Sequence, residues 1–411
     1  MDIKISVIIP VFNMSKWIGK AIDTVEKQTL KELEIICIDD GSTDITSDIL
    51  LSYREKYQNL HVIIQENQGA GAARNTGIEK AQGEYLSFLD ADDYYYSEDA
   101  LEYLYRKAKE NNAMICRGSS CDDREGVIST KGLRPERTFR EEGFIPKDKF
   151  PGAIGYWAGI YNRRFLIEKN IRFPNLRRAQ DGVFVTNCIA KAGQVYCVPQ
   201  LVYVYRKEHK TVHFTEEKAV DLLEGEYQIL KTARNNGMTA VYNAWRRELY
   251  GEKAAVLYHY AASGNKRMRE LAKELNVLTD GKLFEGEAID QYVQHVTEQK
   301  RLFLNHLKSQ DAVYVFGAGT VARRLLAYLT ENGIKPTAII VSDLKQNPEM
   351  LEGIPVKPIS SIQTDVNYTV IIATFWYLQD EISDTLRAQG VKSIIPLDLC
   401  EFHLWQDHIV H

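Results

Sequence analysis

The sequence lacks any apolar stretch approaching the ~20 residues needed to span a bilayer, so no transmembrane segment is expected. Cysteine is scarce: Cys37, Cys116, Cys121, Cys188, Cys197 and Cys400 are the six in 411 residues, scattered mostly in apolar runs without metal-ligand spacing. They read as reduced thiols of a cytoplasmic protein. A basic excess is also missing, since 51 Lys and Arg face 56 Asp and Glu for a net charge of −5, which argues against nucleic acid as a partner. The first strand-like run begins within a few residues of the start, leaving no room for a signal peptide. There is no sequence repeat and no low-complexity tract. The length exceeds what one core supports, and two or three domains are expected.

Strand-like apolar runs are present at Lys4 to Pro10, Leu33 to Ile38, His61 to Ile64 and Glu84 to Leu89. Helical patterns fall between them at roughly 15–27, 44–57 and 70–82, and this β-α-β-α rhythm predicts a parallel sheet. Two acidic clusters end the second and fourth runs, Asp39-Asp40-Gly41-Ser42-Thr43-Asp44 and Asp90-Ala91-Asp92-Asp93. Ligands of such sheets bind outside the carboxyl ends of the strands, where both clusters lie. Alternation along a strand lets Asp90 and Asp92 point the same way with Ala91 turned into the sheet. Paired carboxylates repel unless a cation lies between them, and hard oxygen ligands suit Mg²⁺ or Mn²⁺, with phosphate oxygens completing the shell. The pattern therefore points to a metal-bound diphosphate. The plainer alternative is that Asp and Ser close strands because they favour turns.

Taken in order, Ser6 to Asn13, Gln28-Thr29, Ile38 to Asp44, Asn67 to Gly77, Gly83 to Tyr85 and Leu89 to Asp93 closely resemble the nucleotide-binding half of family 2 glycosyltransferases. The resemblance covers about the first 210 residues. It implies a GT-A fold and inverting transfer of a sugar from a nucleotide donor, most often UDP-linked. Within that pattern Asp92 is the candidate metal ligand for Mn²⁺ or Mg²⁺. Asp90 and Ala91 accompany it against the ribose or donor sugar, with Asp93 in support. Asp40, rather than Asp39, is the expected partner of the uracil, with Pro10, Phe12 and Asn13 completing the pocket. Asn67, Gly69 and Arg74 belong to a glycine-rich segment opening a helix, suited to a diphosphate.

The family places its general base in a Glu-Asp pair opening a later helix. Here the pair reads Gln180-Asp181, so the aspartate is retained as candidate base while the usual glutamate is glutamine. The plainer role for Asp181 is an N-cap. Trp157 and its neighbour Tyr156 resemble the acceptor-side segment, as sugar-stacking rings or as core aromatics with equal weight. Arg206, His209 and His213 fall in a stretch resembling a closing loop, with a solvated charge run as the alternative. The family's processive Gln-x-x-Arg-Trp signature is missing, which implies one sugar added per encounter.

After a helical stretch, a β-α-β pattern restarts at Ala312. Gly317-Ala318-Gly319 follows a strand and Asp343 ends the next one, in the manner of a small Rossmann-like domain. A regulatory or second nucleotide site, a homo-oligomerisation or docking module, and a purely supporting fold are the alternatives for this region. The expected class is α/β: a GT-A nucleotide-diphospho-sugar transferase domain over 1–213, a helical connector over 214–308 and a Rossmann-like α/β domain over 309–411. The expected partners are a nucleotide-sugar donor and a glycan, lipid-linked or glycoprotein acceptor. Basic groups such as Arg246-Arg247 and Lys266-Arg267 offer peripheral contact with the inner face of the cell membrane, or a solvated helix face. The rival class is a non-catalytic nucleotide-sugar-binding or scaffold protein on the same fold.

Overall fold

The computed structural model describes residues 2–397 except 125, 131–136, 153–154, 208–214, 254–255, 258–259, 261–263, 284–288, 345–346 and 375. The chain forms two compact units, the first running to Arg247 and the second starting essentially at Glu248. Helices of the sequence-expected connector are thereby shared between the two units.

The first unit begins β1 (Ile5–Val11), α1 (Ile18–Glu26), β2 (Leu33–Asp39), α2 (Thr46–Lys56), β3 (Leu60–Ile64), α3 (Ala70–Lys80) and β4 (Tyr85–Phe88). It continues β5 (Tyr94–Tyr95), α4 (Ala100–Glu110), β6 (Ile115–Arg124), β7 (Val127–Ser129), β8 (Gly143–Pro146), β9 (Gly159–Asn162), α5 (Arg163–Glu168), α6 (Gln180–Ala192) and β10 (Gln194–Arg206). Helices α7 (Glu216–Asn235) and α8 (Thr239–Glu248) follow. The strands make one sheet in the order β3-β2-β1-β4-β9-β6-β10-β5, with β7 on β6 and β8 on β10.

The β1 to β4 half is parallel, as the alternating pattern predicts. Every residue of β1 and β2 is buried, which is why both read as continuous apolar runs rather than alternating ones. Helix α3 lies so close to β1 that a β-carbon on Gly77 would stand 2.4 Å from Ile8 Cγ2. The other half is mixed: β9 runs antiparallel to both β4 and β6, and β6 pairs parallel with β10. This change of direction brings the 155–161 segment and α6 to the end of β4.

A cluster of rings fixes that junction. Phe173 and Phe184 stack with centroids 3.9 Å apart, and Phe88 meets Tyr156, Tyr161, Phe173 and Phe184 edge-on at 5.3 to 5.9 Å. Such pairs contribute about 0.5–1.5 kcal/mol each beyond their buried area. Phe184 therefore anchors the first turn of α6 to β4.

The second unit contains α9 (Lys266–Leu278), α10 (Ile289–Lys308), β11 (Ala312–Phe316), α11 (Thr320–Glu331), β12 (Ala338–Val341), β13 (Met350–Leu351), β14 (Ile354–Pro358), β15 (Tyr368–Ile372), α12 (Trp376–Ala388) and β16 (Ile394–Pro396). Its sheet order is β13-β14-β12-β11-β15-β16, parallel except between β13 and β14. Chain order reverses beside β11, and Gly317 follows that strand with φ +109°. A β-carbon there would meet Ala373 O at 3.0 Å, so both conformation and space call for glycine. Gly319 is the N-cap of α11, and Asp343 lies just beyond β12. Among the described residues no helix is long and apolar enough to cross a membrane.

Candidate active site

Asp39 closes β2, and Asp40 follows directly. Both are buried, and their carboxylates organise backbone on opposite sides. Asp39 Oδ1 accepts from Ser42 N at 2.9 Å, and Ser47 Oγ donates to Oδ2. Asp40 Oδ1 accepts from Gln65 Nε2 at 2.8 Å and Gln68 N at 3.0 Å, and Oδ2 accepts from Gly69 N at 2.7 Å. Asp40 thus shapes the loop that holds Asn67 and Gly69, both exposed, at the start of α3. Gly69 is the N-cap of α3 at φ +90° and offers no side-chain cap, leaving the first-turn amides of the helix free of a capping group.

At the end of β1, Pro10 is buried while Phe12 (43 %) and Asn13 are exposed. Asn13 stands at φ +53°, and its Oδ1 accepts from Thr43 N at 2.8 Å. The β1 and β2 ends are thereby tied into one rim.

The 90–93 turn is crowded with acid. Ala91 is buried, but β4 ends at Phe88 and 90–93 form a turn closed by Asp93 N donating to Asp90 O, so strand alternation does not set where Asp90 and Asp92 point. Asp93, 2 % exposed, accepts from Tyr203 Oη at 2.7 Å and Arg206 N at 2.8 Å. Burial, and then the charges of Asp90 and Asp92, hold its carboxyl well above the ordinary value despite those donors. Asp90 Oδ1 accepts from Arg74 Nη2 at 2.9 Å and from Tyr156 Oη. Asp92 is partly buried between them in sequence.

The carboxylates of Asp90, Asp92 and Asp93 are hard oxygen donors of the kind Mg²⁺ and Mn²⁺ take. Among the described residues no group of three His, Cys, Asp or Glu is arranged to hold a metal. The donor set fits an ion that draws its remaining ligands from a diphosphate and water, and not a cage made of protein alone.

Arg74, on the second turn of α3, is 5 % exposed and reaches across the cleft. Its Nη1 stands 3.9 Å from Asp181 Oδ1, and its guanidinium lies over Tyr156 at 4.2 Å and Phe173 at 5.3 Å. Asp181 is the second residue of α6. The N-cap is Ala179, at φ +58° with no side-chain cap, so Asp181 is a first-turn acid and not the capping residue. A β-carbon on Gly225 of α7 would stand 2.4 Å from Ala179 Cβ, which shows how tightly that turn is enclosed. The Asp181 side chain keeps 42 % of its exposure, facing the cleft, with protein crowding its other sides. That crowding pushes its carboxyl up to about 6; Arg74 and Arg178 pull it down and Asp90 pushes it up. Next to it, Gln180 Oε1 is buried without a hydrogen bond.

The cleft therefore brings together Asp90, Arg74 and Asp181 from β4, α3 and α6. Two other sequence candidates make different contacts. Trp157, 7 % exposed, stacks on Tyr203 and Tyr205 at 5.2 and 5.7 Å, inside the fold rather than on an open sugar face. Arg206 gives its backbone N–H to Asp93 of the acidic turn, while its guanidinium lies over Trp17 at 4.1 Å and 3.9 Å from Asp123. His209 and His213 lie outside the described residues. Sequence reading missed the hydroxyls of Tyr156 and Tyr203, which reach the acidic turn from 66 and 110 residues away. No local pattern signals such contacts.

Residues 6–168 match the family model described as glycosyl transferase family 2. A poly(ribitol-phosphate) beta-glucosyltransferase of Bacillus spizizenii is 35 % identical over 220 residues, 52 % of this chain and 33 % of that protein. The putative glycosyltransferase EpsH of Bacillus subtilis is 25 % identical over 344 residues, 80 % of this chain and 98 % of that one. The chain thus spans a third of the first relative and nearly all of the second. Among solved structures, S. aureus TarS 1–349 in complex with UDP aligns with a TM-score of 0.55 at 21 % identity, covering 72 % of this chain and 91 % of that one, a likeness of fold. With the parallel β1 to β4 half, the acidic turn after β4 and the 6–168 match in agreement, residues 6–168 form a glycosyl transferase family 2 domain, and the first unit has the GT-A fold.

Proposed function

We propose that the first unit transfers a hexose or N-acetylhexosamine from a UDP-sugar to a hydroxyl of a glycan, surface polysaccharide or glycoprotein, with inversion and with Asp181 as general base. The observation that carries this is the single arginine, Arg74, that spans the donor-side carboxylate Asp90 and Asp181. In this reading it links the donor side of the reaction to the acceptor side. A carboxyl pushed up to about 6 also suits a base working near neutrality.

In this reading Asp40 holds the uracil end. Its Oδ2 accepts one N–H from Gly69, and a carboxylate oxygen accommodates a second, such as the imide N–H of the base. Uncapped amides at the start of α3 meet the diphosphate. Mn²⁺ or Mg²⁺ at Asp92 supplies, when bound, neutralisation of the charge that develops on the leaving diphosphate. Asp181 takes the acceptor hydroxyl proton as the new glycosidic bond forms and the bond to the diphosphate breaks. UDP leaves as an anion and needs no protein acid. The related proteins accord with this donor: TarS is described with UDP-GlcNAc, and the Bacillus spizizenii relative is a glucosyltransferase.

The test is UDP release from a panel of UDP-sugars, in Mn²⁺ or Mg²⁺, with and without chelator and candidate acceptors. Metal-dependent release stimulated by an acceptor is expected. No turnover of any donor, together with no metal-dependent UDP binding, removes the reading.

A further inference from the structure

One buried polar group in the cleft has no part in that scheme. Tyr156 is fully buried, yet its hydroxyl donates to Asp90 Oδ1 and accepts from Arg74 Nη2. Its backbone is held at every carbonyl around it. Arg117 Nη1 donates to Gly155 O at 2.6 Å, Tyr161 Oη to Tyr156 O at 2.8 Å, and Arg117 Nη2 to Trp157 O at 3.3 Å. Arg117 itself is only 3 % exposed. Just beyond, Ala158 stands at φ +60°, a left-handed conformation strained for alanine and held by Gly118 N donating to its carbonyl at 2.9 Å. A ring that merely filled the core would not require a buried arginine and a strained alanine to aim its hydroxyl.

What the hydroxyl controls is the arginine fork. A guanidinium and a carboxylate left alone pair through two parallel N–H bonds. Here the Tyr156 hydroxyl and Arg74 Nη2 share Asp90 Oδ1, and the Tyr156 ring lies 4.2 Å beneath the guanidinium. The guanidinium therefore gives Asp90 one nitrogen. Its Nη1, which makes no hydrogen bond, stays 3.9 Å from Asp181 Oδ1. We propose that Tyr156 is a positioning residue for transfer: its hydroxyl keeps Arg74 from closing on Asp90, so that Nη1 orients the Asp181 carboxylate towards the acceptor hydroxyl. This rests on the reading of Asp181 as base.

The experiment compares the full chain, Tyr156→Phe, Arg74→Lys and the double variant with the UDP-sugar that the wild type turns over. Tyr156→Phe keeps the ring and removes only the hydroxyl. It is expected to lower kcat by about 10- to 100-fold, the scale of a sub-ångström to ångström misplacement, with donor KM within about threefold. The double variant is expected to lose no more than about threefold beyond Arg74→Lys, because the two side chains act as one unit. Wild-type kcat in Tyr156→Phe, a loss carried by donor KM, or multiplicative effects in the double variant overturns the proposal. Should Tyr156→Phe fail to fold, Arg74→Lys decides alone: kcat at the wild-type level overturns it, and a loss at unchanged donor KM supports it. A wild type that turns over no UDP-sugar removes the glycosyltransferase reading, and this proposal with it, before any variant is compared.

Discussion

A β-carbon on Gly71 would stand 2.4 Å from Oε1 of Gln180 and 3.0 Å from the carbonyl of Pro174, so α3 and the entry to α6 meet with no room for a side chain. The requirement is space alone. Gly71→Ala is expected to push the Gln180 side chain aside and to press on the Pro174 carbonyl in the entry to α6, which carries Asp181. Overpacking of this kind costs about 1–3 kcal/mol. The transfer rate is expected to fall by about 10- to 100-fold through misplacement of the base. Thermal unfolding and steady-state kinetics on the same preparation check both, and a rate unchanged beside a lowered Tm would separate Gly71 from the chemistry.

The rate of transfer should rise with pH through the region near 6 and level off above it. Asp181 acts as a base only when ionised, and its carboxyl is pushed up to about 6, so the ionised fraction grows as pH rises through that value. Arg178 is one of the cations that pull it down. Arg178→Ala should therefore move the acidic limb to higher pH, and a limb that stays in place or moves down would contradict the assignment. The kcat profile at saturating donor is the measurement.

Gln180→Glu restores the residue that the family pattern carries, but it turns an amide oxygen that is buried without a hydrogen bond into part of a carboxylate beside Asp181. Like charges raise each other's pKa. The expected outcome is an acidic limb displaced upward and a Tm that falls more steeply with rising pH than that of the wild type. Unchanged profiles in both measurements would mean that the Gln180 side chain lies outside the electrostatic reach of the base.

Asp40→Ala removes the acceptor of three hydrogen bonds, from Gln65, Gln68 and Gly69. Hydrogen bonds to charged groups contribute about 1.5–3 kcal/mol each, without simple additivity, so a loss of about 2–4 kcal/mol is expected. Urea unfolding measures that loss. UDP affinity should fall as well, because the same carboxylate shapes the loop at the start of α3.

The parallel half of the sheet was legible in the sequence because its signals are local. Each strand of β1, β2 and β4 is an apolar run, each acidic cluster lies at the carboxyl end of a strand, and α3 opens on its glycine-rich segment. The antiparallel half was not legible: β9 is only four residues, and its pairing with β4 and β6 joins segments far apart. For the same reason the site's wiring stayed hidden. The resemblance to an acceptor-side segment leaves Tyr156 and Trp157 as sugar-stacking rings or core aromatics with equal weight; both are buried, one aiming its hydroxyl at Asp90 and the other stacking inside the fold. The resemblance singles out Asp181, but its place inside the first turn depends on the left-handed Ala179, which no propensity predicts.

Whether Asp181 removes the acceptor proton is tested by single-turnover transfer by Asp181→Asn at saturating UDP-sugar, with UDP affinity and Tm determined alongside. General-base removal typically costs about 10²- to 10⁴-fold, and a loss in that range at near wild-type UDP affinity is predicted. Transfer within a few-fold of wild type, in a folded variant that binds UDP normally, would contradict it.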